Sequence, residues 1–249
     1  MKIDICGAKI DNVTFIEAIE ESISLSFCKD KYHFIVTPNV DHLMQLQRDS
    51  DLKMVYDNAA LVLTDGMPII WLSKFLGKGI KEKISGSDLL PKLCEVASDK
   101  GLRIFFLGGR LGSVESVEKA FKNRYRGINI VRAHCPSFGF EKDEVENRQV
   151  IELIKEVQPD ILFVGLGTPK QEKWIYRYRD EYKVPLSIGI GASFDFEAGV
   201  VKRAPLWMRK VGFEWFWRIL MEPKRLWKRY LIDDMQFFWL VLKQKVGKK

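Results

Sequence analysis

Short, fully apolar runs alternate with amphipathic stretches along most of the chain. Runs of this kind are typical of buried parallel strands, whereas apolar residues three or four positions apart are typical of surface helices. Strands are therefore predicted at 33–36, 61–63, 103–107, 128–131, 161–164 and 186–190. Helices are predicted at 40–48, 69–75, about 88–98, 114–123 and 143–157.

Strand and helix alternate throughout this pattern, after a small hairpin predicted over residues 2–10. Alternation of this kind predicts an α/β fold with a mostly parallel sheet and helices on both faces. The fold class we expect is therefore α/β and Rossmann-like, followed by a helical C-terminal appendage.

Residues 161–199 contain two of the predicted strands, and both end in glycines. After the first strand, Thr168, Pro169 and Gln171 have the spacing of a helix start: a threonine N-cap, a proline at the first helical position and a glutamine that closes a capping box. A helix start of this kind can receive an anion, because its backbone N–H groups and its dipole point outward. The spacing leaves a second interpretation open, in which the glycines only form tight turns and Gln171 only caps the helix.

In open parallel sheets, ligands bind outside the carboxyl ends of the strands. We therefore expect the polar residues and glycines that follow the predicted strands to share one rim. These residues are Thr37, Asn39, Asp65, Gly108, Gly109, Gly167, Thr168, Gln171, Ser193 and Asp195.

Asp65 directly follows an apolar strand and begins a glycine turn. A carboxylate at a strand end, next to Met67 and Pro68, is a candidate general base whose pKa we expect to be raised. The alternative is an aspartate that only shapes the turn. Thr37 and Asn39 follow a strand predicted to be its neighbour, so either could bind a substrate hydroxyl or hold Asp65. Asn39 also has the spacing of a helix N-cap.

Charge is distributed unevenly along the 249 residues. The whole chain has 40 basic and 33 acidic residues, whereas residues 201–249 have 13 Lys or Arg against 4 Asp or Glu, a local net charge of +9. The same segment contains five of the seven tryptophans. This shift in composition predicts a boundary near residue 200, between an α/β catalytic core at 1–199 and a basic, Trp-rich C-terminal appendage at 200–249.

Arginines recur in the predicted appendage, among them Arg203, Arg218 and Arg225. The planar guanidinium group suits a diphosphate because it binds two oxygens at once. Four interpretations of the segment stay open: a solvated basic helix face, an apolar stripe that faces a core, a helix on an anionic membrane surface, and a surface that grips nucleic acid.

Several function classes are disfavoured by what the sequence lacks. No apolar stretch is long enough for a membrane span, and the first residues do not resemble a signal peptide, so we expect a cytoplasmic protein. There is neither a dinucleotide fingerprint nor a P-loop, which argues against a nucleotide-dependent oxidoreductase, an epimerase and an NTPase. Four dispersed cysteines and three dispersed histidines predict free thiols and no metal site. The one Asp-x-Asp, at 49–51, lies in a polar stretch that we interpret as solvated surface.

Several longer runs carry a family resemblance. They include TPNVDH at 37–42, TDGMP at 64–68, GLGTPKQE at 165–172, GIGASFDF at 189–196, RAP at 203–205 and GFEW at 212–215. In these runs and in their order, the sequence resembles the WecG/TagA/CpsF family of bacterial glycosyltransferases from about residue 3 to residue 230.

This resemblance implies an inverting, metal-independent and cofactor-free transfer of a sugar at the cytoplasmic face of the membrane. The donor is a UDP-sugar, typically UDP-N-acetylmannosamine, and the acceptor is a lipid-diphosphate-linked sugar. In the branch that makes wall teichoic acid, the product is a β-1,4 linkage to undecaprenyl-diphosphate-linked N-acetylglucosamine. Two alternatives are kept: a different donor such as UDP-ManNAcA or UDP-glucose, and, from another class, a basic nucleic-acid-binding α/β protein.

The resemblance also implies roles for individual residues. The proposed base corresponds to Asp65, with Thr37 beside it as a second catalytic residue. The expected partners are the UDP-sugar, the lipid-linked acceptor and an anionic membrane that the C-terminal appendage contacts; nucleic acid is not expected, and a homo-oligomer is left open. The predicted substrate-binding residues are Asn39, Gly108, Gly109, Gly167, Thr168, Gln171, Ser193, Asp195, Arg203, Arg218 and Arg225.

Overall fold

A computed structural model describes residues 1–221, 223 and 236–247 of the chain. The chain divides into two compact units. Unit 1 comprises Met1–Phe15, Thr37–Ser85 and Val201–Lys249, and unit 2 comprises Ile16–Val36 and Gly86–Val200. The chain thus passes from unit 2 to unit 1 close to the predicted boundary at residue 200, and the division into a catalytic core and an appendage stays a prediction.

Unit 2 is built on parallel strands that closely match the predicted ones. Their bounds are β3 His33–Val36, β5 Arg103–Gly108, β6 Asn129–His134, β7 Ile161–Gly165 and β8 Leu186–Gly189. These five strands lie in the order β3-β8-β7-β5-β6, and each neighbouring pair is parallel. The predicted α/β fold with a parallel sheet is confirmed.

Helices flank this sheet and bury one apolar face each. Their bounds are α1 Phe15–Ser26, α5 Gly86–Asp99, α6 Ser113–Arg124, α7 Glu144–Val157, α8 Lys170–Tyr182 and α9 Ser193–Glu197. The ring of Phe106 on β5 contacts Phe121 on α6, Phe163 on β7 and Phe194 on α9, at centroid distances of 6.1, 5.9 and 5.2 Å. Edge-on aromatic contacts of this kind stabilise beyond the area they bury, so one phenylalanine joins three elements.

Unit 1 begins with the predicted hairpin, made of β1 Lys2–Ile5 and β2 Ala8–Asp11. Its two-residue turn has positive φ at both positions, 49° at Cys6 and 85° at Gly7, as a type I′ turn requires. The other described elements of this unit are α2 Val40–Leu46, α3 Ser50–Asn58, β4 Leu61–Val62, α4 Met67–Phe75, α10 Leu206–Val211, α11 Glu214–Met221 and α12 Gln236–Val246.

Helix α3 explains the Asp-x-Asp at 49–51. Asp49 is the N-cap of this helix, and its carboxylate accepts the backbone N–H of Leu52 at 3.0 Å. An aspartate at this position satisfies an N–H that has no partner within the helix. The two aspartates of the Asp-x-Asp sequence therefore lie at the start of a helix, Asp49 as its N-cap and Asp51 in its first turn.

The last helix is anchored to the first hairpin. Oε1 of Gln244 accepts the backbone N–H of Cys6 at 3.0 Å, and its Nε2 donates to the Asp4 carboxylate at 2.7 Å. Phe237 and Val241 on the same helix are 1% exposed. Gln244 therefore supplements the apolar packing of α12 with hydrogen bonds to a turn that is held at positive φ.

The apolar side chains of α10 and α11 are mostly exposed. Trp207 is 63% exposed, Val211 48% and Leu220 53%. One interpretation of the C-terminal segment was an apolar stripe that faces a core. This interpretation is wrong for Trp207, Val211 and Leu220. Among the described residues, no helix is both long enough and apolar enough to cross a membrane.

Replacing Gln244 by alanine should loosen α12 specifically. The variant loses the bonds to Cys6 and Asp4, which we expect to cost the helix about 1–3 kcal/mol of local stability. Amide hydrogen exchange in α12 should then speed up roughly tenfold or more. Lys243→Ala is the matched control, because it is a change to alanine at the neighbouring, exposed position. Equal exchange rates in the two variants would contradict the anchoring role.

Candidate active site

The sheet of unit 2 has a point at which its connections change direction. The chain goes from β5 to β6 on one side and from β7 to β8 on the other, while β5 and β7 lie next to each other. In open α/β sheets, a crevice for ligands forms at the carboxyl ends of two such strands. The loops that begin at Gly108 and Gly165 form this end, so the sequence placed the glycines 108, 109 and 167 correctly at it.

Glycine allows these two loops to approach each other. The N–H of Gly109 donates to the Gly165 carbonyl at 2.8 Å, and a Cβ at Gly108 would lie 2.6 Å from the same oxygen. A side chain does not fit at such a distance. Gly167 differs, because it has a φ of 77° and no atom within 4 Å of the place of a Cβ. Close approach thus excludes a side chain at Gly108, whereas Gly167 has open space and requires glycine for its positive φ alone.

Gln171 joins the loops that follow β7 and β8. Its Oε1 accepts two backbone N–H groups, from Gly167 at 3.3 Å and from Gly191 at 3.0 Å. Its Nε2 donates to the Glu172 carboxylate at 2.7 Å, and the residue is 2% exposed. One buried amide therefore fixes both glycine loops.

The predicted helix start at Thr168 is wrong in its details. Helix α8 begins at Lys170 and its N-cap is Pro169, without a side-chain cap. Because proline has no N–H, Gln171 cannot close a capping box onto it. The glutamine instead reaches the N–H of Gly167 and that of Gly191.

Ser193 and Asp195 lie at the same end of unit 2 and are both buried. The Ser193 hydroxyl donates to the Ile190 carbonyl at 2.5 Å and lies 3.1 Å from the Ser87 hydroxyl. Asp195 accepts the backbone N–H of Arg110 at 3.2 Å and pairs with its Nε at 3.2 Å. Both side chains thus hold the backbone of neighbouring loops, and their contact with substrate stays a prediction.

Arg110 is a candidate that the sequence analysis missed. Its side chain is 49% exposed, and it directly follows the glycine pair at the end of β5. An arginine that follows a glycine turn at a strand end was the available signal, since such loops often meet anions.

In unit 1, backbone hydrogen bonds bring three loops together around Asp65. Its N–H donates to the Pro38 carbonyl at 2.8 Å. The carbonyl of Thr64 accepts the N–H of Ile84 at 2.7 Å. The predicted proximity of the loop at 37–39 to Asp65 is thus confirmed, and a third segment, around residue 84, joins them. That these residues share one rim with those of unit 2 stays a prediction.

Asn39 has the capping role that its spacing permitted. Its side-chain oxygen accepts the N–H of His42 at 3.4 Å, and Nδ1 of His42 accepts the N–H of Asn39 at 3.2 Å. The box fixes the start of α2 at Val40, three residues after Thr37, and Thr37 is 6% exposed. The roles of Thr37 in catalysis and of Asn39 in substrate binding stay predictions.

Arg203 lies beside the third segment. Its Nη2 donates to the Ser85 hydroxyl at 3.5 Å, and its Nε lies 3.6 Å from the Glu214 carboxylate. The other carboxylate oxygen lies 3.7 Å from Nζ of Lys83. Neither Lys83 nor Glu214 was a sequence candidate, because neither follows a predicted strand.

Two further arginines were predicted to bind substrate. Arg218 lies in the last turn of α11. Arg225 lies outside the described residues.

The cysteines are free thiols, as the sequence predicted. Burial and the charge of Asp4 raise the pKa of Cys6 to about 11, and burial also raises the pKa of Cys94 and Cys135. These three thiols are therefore protonated at neutral pH and are poor nucleophiles. Within the described part of the chain, no three His, Cys, Asp or Glu side chains are grouped so that they could hold a metal ion. The expectation of a metal-independent reaction stays a prediction.

Similarity to known proteins covers nearly the whole chain. One relative, the N-acetylglucosaminyldiphosphoundecaprenol N-acetyl-beta-D-mannosaminyltransferase of Bacillus subtilis strain 168, is 33% identical over 216 residues, which are 86% of this chain and 81% of the relative. A protein of the same name from Staphylococcus aureus strain MW2 is 29% identical over 249 residues, with 99% and 95% coverage. The model of the glycosyl transferase WecG/TagA/CpsF family matches residues 3–249. The chain therefore belongs to the WecG/TagA/CpsF family of glycosyltransferases.

Proposed function

We propose that this chain is an inverting glycosyltransferase that moves N-acetylmannosamine from UDP-N-acetylmannosamine to undecaprenyl-diphosphate-linked N-acetylglucosamine. The product has a β-1,4 linkage and serves the synthesis of wall teichoic acid or a related surface polysaccharide. The names of the relatives state the acceptor and the sugar for those proteins. In this chain, the observation that carries the proposal is the Asp65 loop, which is bonded to the loops at 37–39 and 84.

In the proposed reaction, the acceptor hydroxyl attacks the anomeric carbon from the face opposite UDP. Asp65 accepts the hydroxyl proton as the new bond forms. The bond from the anomeric carbon to the diphosphate oxygen breaks, and UDP leaves with the electron pair. Thr37, on the loop bonded to Asp65 through Pro38, is assigned to orienting the hydroxyl.

The leaving diphosphate requires positive groups that are fixed before the reaction starts. Arg203 supplies a guanidinium group whose side chain is 19% exposed. A cation shielded from water stabilises a developing anion more strongly than an exposed one does.

We assign the C-terminal segment to the membrane surface. Residues 201–249 have a local net charge of +9, and the described helices α10 and α11 expose apolar side chains such as Trp207 and Phe216. Basic residues attract anionic lipid, and tryptophan favours the interface between water and hydrocarbon. The proposed location is therefore the cytoplasmic side of the cell membrane, with peripheral attachment.

A UDP-release assay tests the proposal directly. The donor is UDP-N-acetylmannosamine, and the acceptor is a short-chain, water-soluble analogue of lipid-diphosphate N-acetylglucosamine. Parallel reactions with UDP-ManNAcA and UDP-glucose identify the donor. Faster release from either competitor would assign this chain to another activity of the same family.

Asp65→Asn should abolish most of the turnover while the protein stays folded. The amide cannot accept the proton, so kcat should fall by roughly 10²–10⁴, with UDP affinity nearly unchanged. Asp57→Asn is the matched control, because Asp57 is an exposed aspartate of the same unit that pairs with Lys9. Near-normal turnover of Asp65→Asn would remove this residue from the mechanism.

Turnover should persist when divalent cations are removed. The sequence has no credible cluster of metal ligands, so we assign the stabilisation of the leaving diphosphate to dipoles and cations of the protein. The measurement is UDP release before and after dialysis against EDTA. Loss of activity that magnesium or manganese restores would contradict a metal-independent reaction.

Trp207→Ala should weaken membrane binding without slowing the chemistry. The loss of a side chain that inserts at the interface should reduce cosedimentation with anionic vesicles roughly tenfold. Turnover of the short-chain acceptor should be unchanged, whereas Arg218→Ala should reduce it if this arginine meets the diphosphate. Phe27→Ala, at another exposed aromatic residue, is the control. Equal sedimentation of the Trp207 and Phe27 variants would contradict docking through α10.

A further inference from the structure

Glu214 touches two cations at once. It is the first residue of α11, and each of its carboxylate oxygens meets a different partner: Arg203 Nε at 3.6 Å and Lys83 Nζ at 3.7 Å. The side chain of Glu214 is 25% exposed, and those of Arg203 and Lys83 are 19% and 15% exposed. One carboxylate therefore lies within 4 Å of two cations that are largely shielded from water.

Both cations are connected to the loop of the proposed base. Ile84, the neighbour of Lys83, donates its N–H to the carbonyl of Thr64, the residue before Asp65. Arg203 donates to Ser85 on the same short segment. A change in the position of this segment is thus transmitted to the Asp65 loop through one backbone hydrogen bond.

The two ion pairs are too long to serve mainly for stability. Charge-assisted hydrogen bonds between nitrogen and oxygen are about 2.7–2.9 Å long, whereas these contacts are 3.6 and 3.7 Å. Pairs beyond hydrogen-bond length lack the directional charge-assisted bond that makes an ion pair strong. The Glu214 carboxylate still lowers the electrostatic potential at both cations, because it lies within 4 Å of each and the side chains are largely shielded from water.

We propose that Glu214 is a positioning residue for the leaving group, a role that rests on the function proposed above. Its carboxylate holds Lys83 and Arg203 in place for the diphosphate and offsets part of their positive charge. The same carboxylate weakens the binding of free UDP, so that the product can leave. Glu214 does not contact the reacting atoms and acts through the two cations.

This role makes a prediction that a purely structural role does not make. Glu214→Gln keeps the shape of the side chain and removes its charge. Turnover should fall about tenfold because the cations lose their common anchor, while UDP should bind about threefold more tightly because their charge is no longer offset. A merely unstable α11 would lower turnover without strengthening the binding of UDP.

The matched control is Glu118→Gln. Glu118 is also 25% exposed and also pairs with a lysine, Lys122, but it lies on α6 of unit 2. The turnover and the UDP affinity of the Glu118→Gln variant should equal those of the unchanged protein. Lys83→Met supplies a second test, because in that background the effect of Glu214→Gln on UDP affinity should shrink if the glutamate acts through the lysine.

The experiment measures kcat with the short-chain acceptor and UDP affinity by calorimetry, on the full chain. Slower turnover together with tighter UDP binding in Glu214→Gln supports the proposal. Unchanged or weaker UDP binding overturns it, even if Asp65→Asn shows that the glycosyltransferase function is correct. If the unchanged protein neither binds UDP nor releases it from a UDP-sugar, the proposed function fails and the role of Glu214 fails with it.

Discussion

The approach of two backbones at the ends of β5 and β7 is the constraint on which unit 2 depends. The N–H of Gly109 donates to the carbonyl of Gly165. A Cβ at Gly108 would lie only 2.6 Å from the same carbonyl oxygen. A Cβ at Gly165 would in turn meet the ring of Phe194 at 2.8 Å. The loops at the direction change of the sheet are therefore set by contacts between backbone and core, and any bound anion meets a surface that is already rigid.

Unit 1 holds its loops in a different way. The Asp65 loop is joined to its neighbours by single backbone hydrogen bonds, one to Pro38 and one between Thr64 and Ile84. A hydrogen bond contributes about 1 kcal/mol to stability. These bonds contribute to the placement of Asp65, and the capping box of Asn39 and His42 fixes the start of α2 beside them.

The sequence predicts the sheet well because its strands are continuous apolar runs that carry their own signal. His33–Val36 has the predicted bounds, and the other strands differ by a few residues at their ends. The positions of Asp65 and of the glycines at strand ends follow from the same rule. The directions of side chains do not follow from it. The sequence pattern did not show that Gln171 reaches two glycine N–H groups, that Asp195 holds Arg110, or that Glu214 meets two cations. The pattern of apolar residues locates the strands and helices, but it does not fix which partner a polar side chain reaches.

Several residues predicted to bind substrate also shape the backbone near them. Gln171, Asn39 and Asp195 each use a side-chain oxygen to hold a backbone N–H group. The amides of Gln171 and Asn39 are uncharged and do not titrate near neutral pH. Lys83 and Arg203 differ, because each carries a full positive charge, and the nearby Glu214 carboxylate offsets part of its effect. The chain thus has two kinds of positive group: dipoles that are fixed by the fold, and cations whose strength one glutamate adjusts. A carboxylate beside two cations lowers their affinity for every diphosphate, so it limits the affinity for the donor and also speeds the departure of UDP.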